Sequence, residues 1–266
     1  MRGRAITSTG GKARKQSTDN TFVPNRILEA LPRADRNRII AASERVALRQ
    51  GDSLYESGEQ MHFVYFPLGC FVSLIASTDG TNHVEVALVG AEGMLGIPSM
   101  LHIPLAPFKA VVQGAGLALR MDTAEFVRQL KERPALAKRL SRYLYVQVVD
   151  LGWMVTCTRF HLVEQRLARW LLMTRDRAGA QSFHLTQNVM ALMLGVRRAG
   201  VTQAAGSLQT RGLISYRRGN ITIRDNRGLE RMACSCYARS RQSYAHHLGP
   251  WNGPLSIRSD SQRGLE

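Results

Sequence analysis

Around Asp122 the apolar spacing of this chain changes from a period of two to a period near three and a half. Short alternating runs occupy residues 45–49, 63–66, 70–75, 83–89, 109–113 and 117–121. They are split by Gly51-Asp52, Ser57-Gly58-Glu59, Pro67-Leu68-Gly69, Asp79-Gly80 and Gly90-Ala91-Glu92-Gly93. A strand shows one face every second residue, and strands this close, joined by tight turns, pair antiparallel. Past Asp122, which can cap a helix, Leu136, Leu140, Leu144, Val148, Leu151 and Val155 recur in steps of four and three. They draw one apolar stripe along a helix of about six turns. Strands first and helices afterwards define an α+β chain. The expected order is an N-terminal antiparallel, jelly-roll-like β-roll over residues 21–132, opening with a short helical lead-in at 24–42. A long helix at 133–157 and a helical domain at 158–236 follow.

An apolar stripe on a long helix must be covered. Its near-heptad spacing predicts a seam with a second copy of the chain, so Leu136, Leu140, Leu144, Val148, Leu151 and Val155 are the expected dimer interface. The alternative is a helix laid on its own domain. Gly152 permits close backbone approach, and residues 156–160 form the expected hinge to a second helix at 161–177.

Residues 181–224 contain no Asp or Glu but six arginines: Arg197, Arg198, Arg211, Arg217, Arg218 and Arg224. The whole chain carries 36 basic against 20 acidic residues, a formal charge of +16, and such a balance favours a polyanionic partner. Within the acid-free segment Thr186 offers a capping hydroxyl before Val189, Leu192 and Met193, which predicts a helix. Ala191 is small at the crossing point, Gly195 suits a left-handed turn, and Val196 follows to fill the angle. A second helix then runs from about Arg198 to Thr210. Val201, Ala204, Ala205 and Leu208 face inward; Arg198, Thr202, Gln203 and Gln209 face outward. Arginine and glutamine at such positions can read guanine and adenine edges in a major groove. A hairpin over 212–223 forms a wing whose tip presents Arg217 and Arg218 to phosphates. The expected contact set is therefore Thr186, Gln187, Arg197, Arg198, Thr202, Gln203, Arg217 and Arg218, on double-stranded DNA.

No apolar run approaches the ~20 residues of a membrane span, and residues 1–20 read as a disordered basic arm rather than a signal peptide. Residues 237–266, rich in Ser, Arg, Gly and Pro, read as a flexible tail. Four cysteines (Cys70, Cys157, Cys234, Cys236) are too few and scattered for a disulfide framework and suit a reducing cytoplasm. Cys234 and Cys236 are two thiols without further ligands in view, so no metal site is expected.

Roll, long helix, hinge and winged helix-turn-helix, taken in that order, resemble the Crp/Fnr family of transcription regulators. The residues that carry the resemblance are Gly51-Asp-Ser-Leu-Tyr-Glu-Ser-Gly-Glu, Gly90-Ala-Glu-Gly-Met-Leu-Gly, Leu185-Thr-Gln-Asn-Val-Met-Ala-Leu-Met-Leu-Gly-Val-Arg-Arg-Ala-Gly-Val-Thr, Gly212-Leu-Ile and Gly219-Asn-Ile-Thr-Ile. The resemblance implies a homodimer on a palindromic operator, a small-molecule effector in the roll and RNA polymerase as a further partner. Family members that bind cyclic AMP use a Gly-Glu-Leu turn and an Arg-Ser pair. The matching positions here are Gly96-Ile97-Pro98 and Phe108-Lys109, so the glutamate and arginine are missing. Lysine lacks the guanidinium fork for a phosphate. Tight cyclic-nucleotide binding is not expected, nor is an iron–sulfur cluster, since the N-terminal cysteine group is absent. Leu95, Gly96, Phe108 and Lys109 are the expected effector pocket. On the recognition helix, three outward positions that are often Arg, Glu and Arg in the family are Arg198, Ala199 and Gln203 here, so the operator does not carry over.

Two other functions compete. One is a non-specific, nucleoid-type DNA binder. The other is a metal-dependent enzyme using His62, His83, Glu85 and His102, whose spacing matches no ligand motif; with no nucleophile elbow or phosphate loop either, no catalytic residue is expected.

Overall fold

The computed structural model describes residues 24–78 and 82–250. The basic arm at 1–20, the Asp79-Gly80 turn and the tail from Trp251 onward lie outside the described residues. Two short helices, α1 (Arg26–Glu29) and α2 (Arg33–Ala41), open the fold. Asn25 anchors them. Its Oδ1 accepts from the backbone N–H of Ile27 (3.1 Å), and its Nδ2 donates to the carbonyls of Pro67 (3.1 Å) and Gly93 (2.8 Å). One buried amide therefore caps a helix and ties it to the roll.

Seven strands follow: β1 (Glu44–Leu48), β2 (Ser53–Tyr55), β3 (Phe63–Pro67), β4 (Phe71–Ser77), β5 (His83–Val89), β6 (Lys109–Gly114) and β7 (Gly116–Asp122). They form two antiparallel sheets of order β1-β7-β3 and β2-β6-β4-β5. The expected antiparallel roll is present; only the short β2 was not anticipated, because three residues carry too little alternation to register. Leu48, Tyr55, Val72, Val89, Leu95 and Val112 fill the roll's interior.

Asp122 ends β7 and caps α3 (Thr123–Glu132), its Oδ1 accepting from Ala124 N–H at 2.8 Å. After Arg133 the long helix α4 runs over Pro134–Phe160. Its apolar stripe divides in two. Leu136 and Leu140 are fully buried in one cluster with Ile27, Phe126, Tyr143 and Val146, whereas Val148 and Val155 are exposed at 59% and 72%. The expected single seam is thus corrected: its first two members belong to the chain's own core. Helical geometry explains it, since each four-residue step overshoots a 3.6-residue turn by about 40° and three such steps carry the stripe round to another face. The hinge is corrected too. Residues 156–160 are helical, and the chain turns at His161, whose φ and ψ are extended.

The helical half comprises α5 (Val163–Ala178), β8 (Ser182–His184), α6 (Gln187–Leu194), α7 (Arg198–Thr210), β9 (Ile214–Arg217), β10 (Asn220–Ile223), α8 (Asn226–Met232) and α9 (Cys236–Leu248). The expected flexible tail from 237 is contradicted by α9. Tyr237, Ser240 and Tyr244 recur at helical spacing, all are buried, and the helix lies back along α4, where Arg139 Nη2 donates to Leu248 O at 2.6 Å. The Ser- and Arg-rich composition masked that periodicity.

Besides the roll's own interior, one core is shared between the roll and the helical half. Phe71, Ile75 and Leu88 of the roll are continuous with Leu167, Trp170, Leu171 and Met190. The loop 90–93 is the close-fitting part. Glycine is required at Gly93, where a Cβ would stand 2.1 Å from Tyr143 Oη. Gly93→Ala is expected to lose about 1–3 kcal/mol of stability in urea unfolding through overpacking against α4; an unchanged midpoint would mean that Tyr143 swings aside freely.

Candidate nucleic-acid interface

Thr186 caps α6, its Oγ1 accepting from Val189 N–H at 3.3 Å. Gly195 closes the helix in the left-handed region at φ 60°, and Val196, whose N–H donates to Ala191 O at 3.0 Å, packs on the shared core. The turn sets α7 across α6. Val201, Ala204, Ala205 and Leu208 are buried beneath it, while Arg197, Arg198, Thr202 and Gln203 are exposed on the outer face. At the base of that face, Gln187 Oε1 accepts from Arg198 Nε (3.3 Å) and from the Thr202 hydroxyl (3.1 Å). Gln187, Arg198 and Thr202 are therefore one preorganised polar group. Gln209 is exposed as expected, and its Oε1 also accepts from Tyr216 N–H at 2.8 Å. Its amide holds β9 to the end of α7.

The wing consists of β9 and β10, with β8 added on the other side of β10, a strand the sequence did not announce. Two residues, Arg218 (φ 50°) and Gly219 (φ 80°), join the hairpin. Positive φ at both central positions is the turn whose twist matches the strands. Arg217 and Arg218 stand exposed at its tip. Among the described residues no carboxylate pairs with Arg197, Arg198, Arg217 or Arg218; Arg211, by contrast, meets Glu164 at 3.4 Å. A helix face and a wing tip with unneutralised guanidinium groups suit a phosphate backbone flanking a groove.

Residues 165–232 match the family described as the Crp-like helix-turn-helix domain. In domain and in fold the chain is Crp/Fnr-like. Its fold is similar to that of the c-di-GMP-responsive global regulator CLP of Xanthomonas campestris, at 16% identity and a TM-score of 0.61, covering 73% of this chain and 100% of that one. It is similar also to FixK2 of Bradyrhizobium japonicum (16% identity, TM-score 0.62, 72% and 98% covered). A third likeness is to a regulator assigned to the crp/fnr family from Eubacterium rectale (15%, 0.62, 77% and 96%). No curated protein matches the chain by sequence. No helix among the described residues is long and apolar enough to cross a membrane.

The Crp/Fnr-like roll holds a cavity of 180 Å³ lined by Tyr55, Leu95, Gly96, Phe108, Leu144 and Leu151, among other mostly apolar residues. Leu95, Gly96 and Phe108 are where the sequence placed them. Lys109 is not: its Nζ pairs with Glu56 at 2.8 Å, outside the lining. Lys109 opens β6, where its neighbour Ala110 takes the buried position, so strand alternation turns Lys109 outward. Among the described residues no charged side chain lines the cavity, and Leu144 and Leu151, expected at a dimer seam, line it from α4.

Buried polar pairings were missed where the helix-turn-helix half docks on the roll. Arg177 pairs with Glu92 at 2.8 Å, both buried, and its Nε donates to Leu88 O at 2.9 Å. Glu85 is buried and accepts from Trp170 Nε1 at 2.7 Å and from the Ser73 hydroxyl. No periodicity signals partners about 85 residues apart. A second group was missed as well. Cys234 and Cys236, which the sequence left without further ligands, meet Cys157 and His161, and the ligand atoms of all four lie within 4.8 Å of one another. The signal was available in part, because Cys157 and His161 stand four apart, at neighbouring positions where α4 ends. His62, His83 and His102 belong to no such cluster among the described residues.

Burial outweighs the Ser73 and Trp170 hydrogen bonds and the nearby Arg177 and Arg169, and pushes the Glu85 carboxyl up from 4.5 to about 7. Between those values the native state holds a proton that the unfolded chain has released, so stability falls as pH rises through that window. Glu85→Gln retains an acceptor for Trp170 and carries no charge. Above pH 7 the variant is expected to be more stable than wild type, by up to about 3 kcal/mol, with the gap closing toward pH 5. Urea unfolding of both proteins near pH 5 and pH 8 measures it; a gap independent of pH would show that Glu85 titrates normally.

Proposed function

We propose that this chain is a homodimeric, sequence-specific DNA-binding transcription regulator whose roll takes a small apolar effector. The observation that carries the reading is the outer face of α7 together with the wing tip, where four exposed arginines have no carboxylate partner among the described residues. In this reading α7 enters the major groove, the Gln187–Arg198–Thr202 group and Gln203 address base edges, and Arg217 and Arg218 hold phosphates. Two such helices related by a twofold axis read half-sites about 34 Å apart.

An exposed face of α4 supports the dimer. Tyr145, Val148, Gly152 and Val155 are exposed and follow one another in steps of three, four and three, a coiled-coil spacing displaced from the stripe first read. An apolar face of this kind on a 27-residue helix is covered best by its symmetry mate. The cavity supports the effector class. Among the described residues its lining has no guanidinium for a cyclic nucleotide's phosphate, and Leu144 and Leu151 of α4 border it directly, so an occupant bears on the helix that carries the seam.

Selection of bound fragments from random duplex DNA should yield a palindromic consensus. On that site Arg198→Ala is expected to cost about 1–3 kcal/mol and much less on scrambled duplex; equal losses would make Arg198 a phosphate contact and favour the non-specific binder. Val148→Glu is expected to give monomers in sedimentation and weak operator binding, and a variant that keeps dimer mass would place the interface elsewhere.

A further inference from the structure

Three thiols and an imidazole converge where α4 ends. Cys157 closes the last turn of α4, His161 is the residue at which the chain leaves it, and Cys234 and Cys236 flank the start of α9. Cys157 Sγ lies 3.4 Å from Cys234 Sγ, and Cys236 Sγ lies 3.6 Å from His161 Nδ1. All four ligand atoms fall within 4.8 Å of one another; the cysteines are buried and the histidine is half-buried.

We propose that Cys157, His161, Cys234 and Cys236 bind one Zn2+ ion as a closed Cys3His site. The distances discriminate between metals. A tetrahedron with metal–sulfur arms of about 2.3 Å and a metal–nitrogen arm of about 2.0 Å has edges of roughly 3.5–3.8 Å, and the two measured edges lie close to that. An iron–sulfur cluster attaches its ligands to different irons and needs its sulfurs spread wider. Three thiolates, a neutral imidazole and Zn2+ sum to one negative charge, and the surroundings are cationic. Arg166 and Arg169 are both buried near the cysteines, and Arg169 Nε has no hydrogen-bond partner among the described residues. Trp153 packs against the thiols, with the Arg239 guanidinium 4.8 Å above its ring, which shields the site from water.

The position gives the metal a structural consequence. It joins the end of α4, the turn into α5 and the start of α9. Arg166, beside the cysteines, also donates from Nη2 to Leu194 O at the end of α6. An ion here therefore fixes the helix-turn-helix half relative to the long helix. Four protein ligands leave no open coordination position, so the site is structural rather than catalytic.

Metal content of the full chain, purified under reducing conditions without added metal, provides the first test. About one equivalent of zinc per chain is expected in wild type and in Cys70→Ser, whose thiol lies in the roll core. Cys157→Ser and the milder His161→Asn should each weaken zinc binding roughly ten-fold or more in competition with a chromophoric chelator. Co2+ added to the metal-free wild type should give thiolate charge-transfer bands and the strong visible bands of a tetrahedral site, whether or not either variant folds. Wild type with fully reduced thiols, no zinc and no tetrahedral Co2+ spectrum would overturn the proposal. So would stoichiometric iron with acid-labile sulfide, or a Cys157–Cys234 disulfide seen as a loss of two hydrogens by mass. None of these measurements involves DNA, so they stand or fall apart from the regulator reading.

Discussion

Arg177 sits near the end of α5, on the helical half of the chain, but its side chain is buried against the roll, where it meets Glu92 and the Leu88 carbonyl. A guanidinium taken out of water is tolerable only with such partners, and removing one would strand the other charge at a cost of several kcal/mol. Trp170, two turns earlier on the same helix, donates to the buried Glu85. These two contacts hold α5 against β5 and the 90–93 loop, and α5 in turn carries α6 and α7. The direction in which the recognition helix faces is therefore set by polar groups deep in the molecule. Charged groups that need specific partners discriminate between dockings better than apolar contact alone, which is how a shared core comes to have one arrangement.

The long helix serves three surroundings along its length. Its first turns close the roll's lower core through Leu136 and Leu140. Its middle borders the apolar cavity through Leu144 and Leu151. Tyr145, Val148 and Val155 stay exposed along one side, and its last turn brings Cys157 to the cluster with Cys234 and Cys236. A change at any of these places bears on the others through a rigid rod, because an α-helix transmits displacement along its axis with little bending. The α9 helix strengthens that rod by lying along it.

Much of this was legible in the residues themselves. The alternating runs of the roll, the Asp122 cap, the Thr186 cap, the Gly195 turn and the Arg218-Gly219 wing tip are local matters, governed by a few neighbouring side chains and by the periods of strand and helix. The exposed arginines could be foreseen because an acid-free segment has no internal partner to offer them. What misled was extrapolation along one element. A six-residue stripe read as one seam is in fact shared between a core, a cavity and an open face. Lys109 is expected in the pocket beside Phe108, but it opens β6 and faces opposite to the buried Ala110. The α9 helix was hidden by its polar composition although Tyr237 and Tyr244 kept its period.

By itself the sequence determined the element types, the order of roll, long helix and winged helix-turn-helix, and the charge that α7 and the wing present to a partner. Only the tertiary structure decided which face of α4 stays open, that Glu85 meets Trp170 and Glu92 meets Arg177, and that Cys157 and His161 stand beside Cys234 and Cys236. The physical reason is the range of the information. Dihedral preference, capping and periodicity act over a few residues, whereas pairings between residues about 75 to 85 positions apart leave no local trace and exist only once the core has brought both partners out of water.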